Sequence, residues 1–122
     1  MELERPELAA KRILRRLPIG KGFTFFHSFA RPTAHTIQSL EEFCSTLKTI
    51  NLDSIRFHRE RGDFERWLRQ VVGDEELADK LQRIKTKKSV NEALRKRLLR
   101  ETSRRIKQLK NVATSPIVDS KS

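Results

Sequence analysis

Near its C-terminal end the chain carries an apolar stripe that only a helix can use. Val90, Leu94, Leu98, Thr102, Ile106 and Leu109 recur every three or four positions, with Leu99 beside them. That spacing gathers them on one face of an α-helix and would scatter them across both faces of a strand. The positions between them are mostly charged or polar. Such a helix must lay one side on a core, so the rest of the chain has to supply the layer that covers it. Ser89 and Glu92 form a capping box that starts this helix at Val90. It extends to about Lys110, ~30 Å at 1.5 Å per residue.

The preceding sequence supplies that layer in short pieces. Pro6 suits a first helical position and Glu7 the positive end of the macrodipole. Ala10, Ile13, Leu14 and Leu17 then follow helical spacing, and Pro18 and Gly20 end the segment. Residues 23–29 hold four of the seven Phe. Phe23, Phe25 and Phe29 share one face at period two, Ala30-Arg31-Pro32 reads as a turn, and residues 33–37 return as a second strand. Ser39 and Glu42 make another capping box, which starts a helix at Leu40 with Phe43, Cys44, Leu47 and Ile50 inward. Asp53 can cap a short helix through Ile55, Phe57 and His58, and the same segment can also be read as a strand. Asp63 caps the next helix, with Phe64, Trp67, Leu68 and Val71 inward. Gly73 stops it, and Asp74 opens a helix that buries Leu77, Ala78, Leu81 and Ile84. The expected core joins Phe43, Leu47, Phe64, Trp67, Leu68, Leu77, Leu81, Leu94 and Leu98.

The fold class that follows is mainly α: a compact bundle of about five helices, a small β-hairpin over residues 23–37, and a long basic C-terminal helix. The organisation is a basic N-terminal helix and linker over 1–22, one globular domain over 23–110, and a polar tail over 111–122 that frays. No apolar run approaches the ~20 residues of a membrane span. The lone Cys44 excludes an internal disulfide and fits a reducing, cytoplasmic setting.

Charge is collected at the two ends. Residues 85–110 hold eleven Lys/Arg and two Glu, residues 1–22 hold six basic and three acidic groups, and residues 23–84 hold nine basic and ten acidic groups. A field of one sign selects polyanionic partners. Arg outnumbers Lys sixteen to eleven and offers a planar fork to phosphate. The residues expected to contact nucleic acid are Lys11, Arg12, Arg15 and Arg16 near the start. Toward the end they are Lys87, Lys88, Arg95, Lys96, Arg97, Arg100, Arg104, Arg105 and Lys107.

Other chemistry is weaker. His58 and Asp63 form the best acid–base pair, yet no nucleophile accompanies them, so a packed His and a helix cap is the plainer reading. His27, His35, His58 and Cys44 lack the close ligand pairs of a zinc site, and neither metal nor cofactor is called for. Trp67 could stack on a base, but its spacing with Phe64, Leu68 and Val71 places it in the core.

Several segments together carry a resemblance. They are the Phe-rich strand at 23–26, Ser39-Leu40-Glu41-Glu42, Ile55-Arg56-Phe57-His58, Gly62-Asp63-Phe64-Glu65-Arg66-Trp67, and Gly73-Asp74-Glu75-Glu76-Leu77-Ala78. In that order, over about residues 23–110, they resemble a family of small uncharacterised domains found mainly in archaea. Members also occur fused to enzymes, so the resemblance implies an accessory or regulatory module and brings no activity with it. The expected function is non-catalytic binding of RNA, or DNA, through phosphate contacts, as in a ribosome-associated or other ribonucleoprotein component. The alternative is an accessory module whose basic helix meets an acidic protein.

Overall fold

The computed structural model describes residues 4–84 and 91–114. Among them the order is α1 (Pro6–Leu14), β1 (Phe23–Ser28), β2 (Arg31–Ile37), α2 (Leu40–Leu47), α3 (Leu52–Arg61), α4 (Asp63–Trp67), a π turn (Leu68–Val72), α5 (Glu75–Arg83) and α6 (Glu92–Thr114). The architecture is mainly helical, with six helices, a two-stranded antiparallel hairpin and a long C-terminal helix. Ser89 and Val90, the expected cap and start of α6, lie outside the described residues. At the observed start the Asn91 side chain accepts from the Leu94 N–H at 3.1 Å.

Helix α6 is the element on which the others assemble. It packs against α1, α2, α3 and α5. Leu94, Leu98, Thr102, Ile106 and Leu109 are buried along one side, as their spacing requires. The Thr102 hydroxyl donates to the Leu98 carbonyl at 2.8 Å, so its polar atom is satisfied inside the core. All nine residues of the expected core are buried, and Ala10, Ile13 and Leu17 of the N-terminal segment join the same cluster.

The remaining elements take the form their local chemistry sets, with several departures from expectation. The Ser39 hydroxyl accepts from the Glu42 N–H at 3.1 Å, and the Glu42 carboxylate reaches back to the Gln38 N–H at 2.7 Å. The expected box is thus present, displaced by one residue on its return arm. Helix α1 ends at Leu14 rather than Leu17, because Leu17 pairs with Gln38 instead: its N–H donates to the Gln38 carbonyl at 2.7 Å. Asn51, not Asp53, caps α3, accepting from the Asp53 N–H at 2.7 Å. Asp63 is not a cap. Gly62, left-handed at φ 72°, turns α3 directly into α4, which leaves the Asp63 carboxylate free to fold back toward α3.

Downstream, the chain widens into a π turn, closed by the Gly73 N–H on the Leu68 carbonyl at 2.8 Å. The extra residue rotates the helix face, so Val72 is buried and Val71, expected inward, is only half-buried. Gly73 has φ 89°, a left-handed conformation that strains any residue with a side chain, which is why glycine holds the corner. The hairpin differs at its tip. Ser28 pairs with Arg31, so the turn is Phe29-Ala30 with Ala30 at φ 63°, and β2 starts at Arg31. Phe29 thereby leaves the face it was expected to share and stands 80% exposed.

Two changes test this packing. Trp67→Ala empties a buried aromatic site and is expected to destabilise the fold by roughly 3–5 kcal/mol. Ser39→Ala removes one cap and should cost about 1 kcal/mol. Denaturant unfolding of both variants measures the difference, and a near-equal cost would show that Trp67 is not core.

Candidate functional site

Two features of the surface carry chemistry: the cationic face of α6, and a pocket beside His58.

The basic residues sort into two groups by what they touch. Several are committed to the fold. Arg15 donates to the carbonyls of Val71 and Val72, at 3.1 and 3.2 Å. Arg95, itself buried, donates to the Leu47 carbonyl at 2.7 Å and pairs with Glu92. Arg59, absent from the expected set, donates to the carbonyls of Leu81, at 2.7 Å, and Ile84. Each of these guanidinium groups satisfies carbonyls at the end of a helix, where four have no intrahelical partner. Arg105 grips the buried Asp74 carboxylate through Nε and Nη2, at 2.9 and 3.1 Å, while Asp74 also caps α5 through the Leu77 N–H. Arg12 makes a paired contact with Glu4, which raises its pKa, and Arg16 meets Glu42 and Gln38.

The second group faces out. Lys96, Arg97, Arg100, Arg104 and Lys107 are exposed on α6. Steps of three and four bring Arg97, Arg100, Arg104 and Lys107 onto one face, with Lys96 one turn before Arg100. Arg104 makes a loose 3.8 Å contact with Glu101; the other four make no ion pair among the described residues. Lys11 is exposed on α1. Lys87 and Lys88 lie outside the described residues. A signal that separates the groups is helical phase. Arg95 precedes Leu98 by three and Arg105 follows Thr102 by three, so both border the apolar stripe.

The pocket, about 520 Å³, lies between the hairpin, α3, α4 and the π turn. Its walls are Phe23, Phe26, Phe57 and Trp67, with Arg61 and Arg66 among its polar lining. The Trp67 indole N–H donates to the Lys21 carbonyl at 3.1 Å, which fixes the ring in the core rather than offering it to a base. His58 is 2% exposed, and both ring nitrogens are occupied. The Phe26 N–H can only donate, so His58 Nε2 accepts from it at 2.8 Å. Nδ1 therefore holds the proton and donates to Asp63 Oδ2 at 2.8 Å. Burial lowers the His58 pKa against the opposing pull of Asp63, and the ring is held neutral. Burial works the other way on Asp63, but donors from His58, Arg66 and Arg61 outweigh it and hold that carboxyl below its usual range. The pair bolts β1 to α3 and α4.

Among the described residues, no cluster of His, Cys, Asp and Glu is arranged to hold a metal ion. None of the described helices is long and apolar enough to cross a membrane.

Residues 3–103 match a domain family described as a family of unknown function, DUF5752. The chain belongs to this family. The match begins before α1, so the DUF5752 domain takes in the N-terminal helix as well as the motifs at 23–78. No curated protein and no solved structure matches the chain significantly.

The His58 contacts set a pH dependence. The folded pKa lies below the reference 6.5, so the unfolded chain takes up the proton first. The stabilisation is whole above pH 6.5 and is lost as pH falls from there through the folded value, where an Nε2–H would confront the Phe26 N–H. Asp63 adds a further loss below about pH 3.8. Thermal unfolding between pH 7 and 5 should show a fall in midpoint that His58→Gln lacks. Parallel profiles for the two proteins would contradict the assignment.

Proposed function

We propose that this protein binds nucleic acid without catalysis, RNA in the first instance, by phosphate contacts along the outward face of α6. The observation that carries the reading is the stripe of Lys96, Arg97, Arg100, Arg104 and Lys107. Glu101 is the only acid within 93–114, and the stripe runs for ~17 Å at 1.5 Å per residue. A structural purpose for the stripe would require partners in the fold, and these side chains point to water. A row of that length can neutralise several phosphates at once, and the released counterions drive binding. Lys11, Lys87 and Lys88 extend the same charge in sequence. Both nitrogens of His58 are occupied, which supports the non-catalytic half of the reading. A ribosome-associated or other ribonucleoprotein role suits such a sequence-tolerant contact, and the lone Cys44 suits a reducing cytoplasm.

Affinity for a labelled RNA should fall about 10²-fold between 50 and 200 mM salt if five phosphates are met. Charge reversal at Arg97, Arg100 and Arg104 should weaken binding to unrelated RNA sequences alike, because phosphate contacts carry no base information. Undiminished affinity in the folded triple variant, or a flat salt response in the parent, would turn the reading to an acidic protein partner, the role of an accessory module. Tighter binding to duplex DNA of equal length would keep the interface and change its ligand.

A further inference from the structure

We propose that the pocket beside His58 is a binding site for a small amphipathic carboxylate, a molecule with an aromatic or acyl body and one anionic head. The site stands apart from the α6 face, since its lining comes from the hairpin, α3, α4 and the π turn.

Three observations carry this inference. The first is size and wall chemistry. A cavity of about 520 Å³ lies within the range of small-ligand sites, ~300–1,000 Å³. Phe26 and Phe57 face it with rings 6.2 Å apart, and Phe23 and Trp67 form another aromatic pair at 5.6 Å. Such walls bury the flat or flexible apolar body of a ligand.

The second is charge. His58 is neutral, and the Asp63 carboxylate is covered by donors from His58, Arg61 and Arg66. One carboxylate against two guanidinium groups leaves a net charge of +1 beside the apolar walls. Arg61 spends Nε on Asp63 and lies 5.1 Å from the Phe57 ring centre. Its two Nη groups make no hydrogen bond among the described residues. They present the fork that a carboxylate accepts in bidentate fashion. A neutral acceptor would meet that fork without the second charge and bind more weakly, and a cation would be repelled.

The third is the hairpin tip. Phe29 lines the pocket yet is 80% exposed, on a two-residue turn with Ala30 at φ 63°. A large exposed ring beside an apolar cavity gains burial when an apolar body enters. Phe29 would then form the outer wall of the filled site.

The test uses the full chain, because Trp67 is its only Trp and lines the pocket. The indole N–H resonance of Trp67 is followed by NMR during titration with 2-naphthoate, with decanoate, and with the uncharged 2-naphthamide. Saturable shifts with both carboxylates are expected, with the amide at least about tenfold weaker, the loss of one charge-assisted contact. Arg61→Met should weaken the carboxylates by a similar factor and abolish their advantage over the amide. Gln70→Phe, which fills the pocket from an exposed position, should abolish binding while the spectrum of the core stays that of the parent. Equal affinity for acid and amide would overturn the proposal, as would undiminished binding to folded Gln70→Phe. So would inert carboxylates alongside a saturable shift with an acidic Phe-containing peptide, which would make the pocket a protein contact.

Discussion

The carbonyl groups at helix ends are the constraint around which this structure is built. Helices α1, α2, α3 and α5 run from eight to ten residues, so the four C-terminal carbonyls of each that lack an intrahelical partner are a large share of its backbone. Buried without donors, such groups cost about as much as lost hydrogen bonds. Three arginines from distant positions supply donors: Arg95 to the end of α2, Arg59 to the end of α5, and Arg15 to the end of the π turn. A guanidinium suits this work because its stem packs on apolar surface while its fork reaches more than one oxygen. The bidentate Arg105–Asp74 contact does the same work at a helix start, tying α6 to the cap of α5.

This division changes what the net charge of +11 means. Part of the positive charge is committed to carbonyls and carboxylates of the fold, and the α6 face holds the row of exposed cations on which the proposed contact rests. The sequence shows charge without showing its use. Arg95 and Arg97 are two positions apart and of the same type, yet one is buried against Leu47 and the other faces water. Their phase against Leu98 distinguishes them, but only when the apolar stripe is known to pack along its full length.

The helices and the core were legible because periodicity, capping residues and glycine stops agreed with one another. Leu94, Leu98 and Ile106 show it on α6, and Ser39 and Gly73 show it at helix boundaries. What was not legible depended on tertiary partners. Asp63 has the look of a cap, but His58 lies within its reach and Gly62 already makes the turn. Val71 follows the α-helical period, and the π turn moves burial to Val72. Phe29 follows the strand period, and the hairpin turns one residue too soon for it. The pocket was invisible for the same reason: its walls come from residues up to 48 positions apart, Phe23 to Val71, and no local pattern marks a space between elements.

The account stands on the separation of inward from outward arginines. Its most direct test measures thermal midpoint and RNA affinity side by side for two neutralised proteins, Arg59→Gln with Arg95→Gln, and Arg97→Gln with Arg100→Gln. The inward pair should lower the midpoint by about 4 °C or more, the effect of ~1 kcal/mol in a domain of this size, and leave the affinity of the folded protein close to that of the parent. The outward pair should do the reverse, with an unchanged midpoint and a weakened, less salt-sensitive complex. Equal effects of the two pairs on both readouts would contradict it.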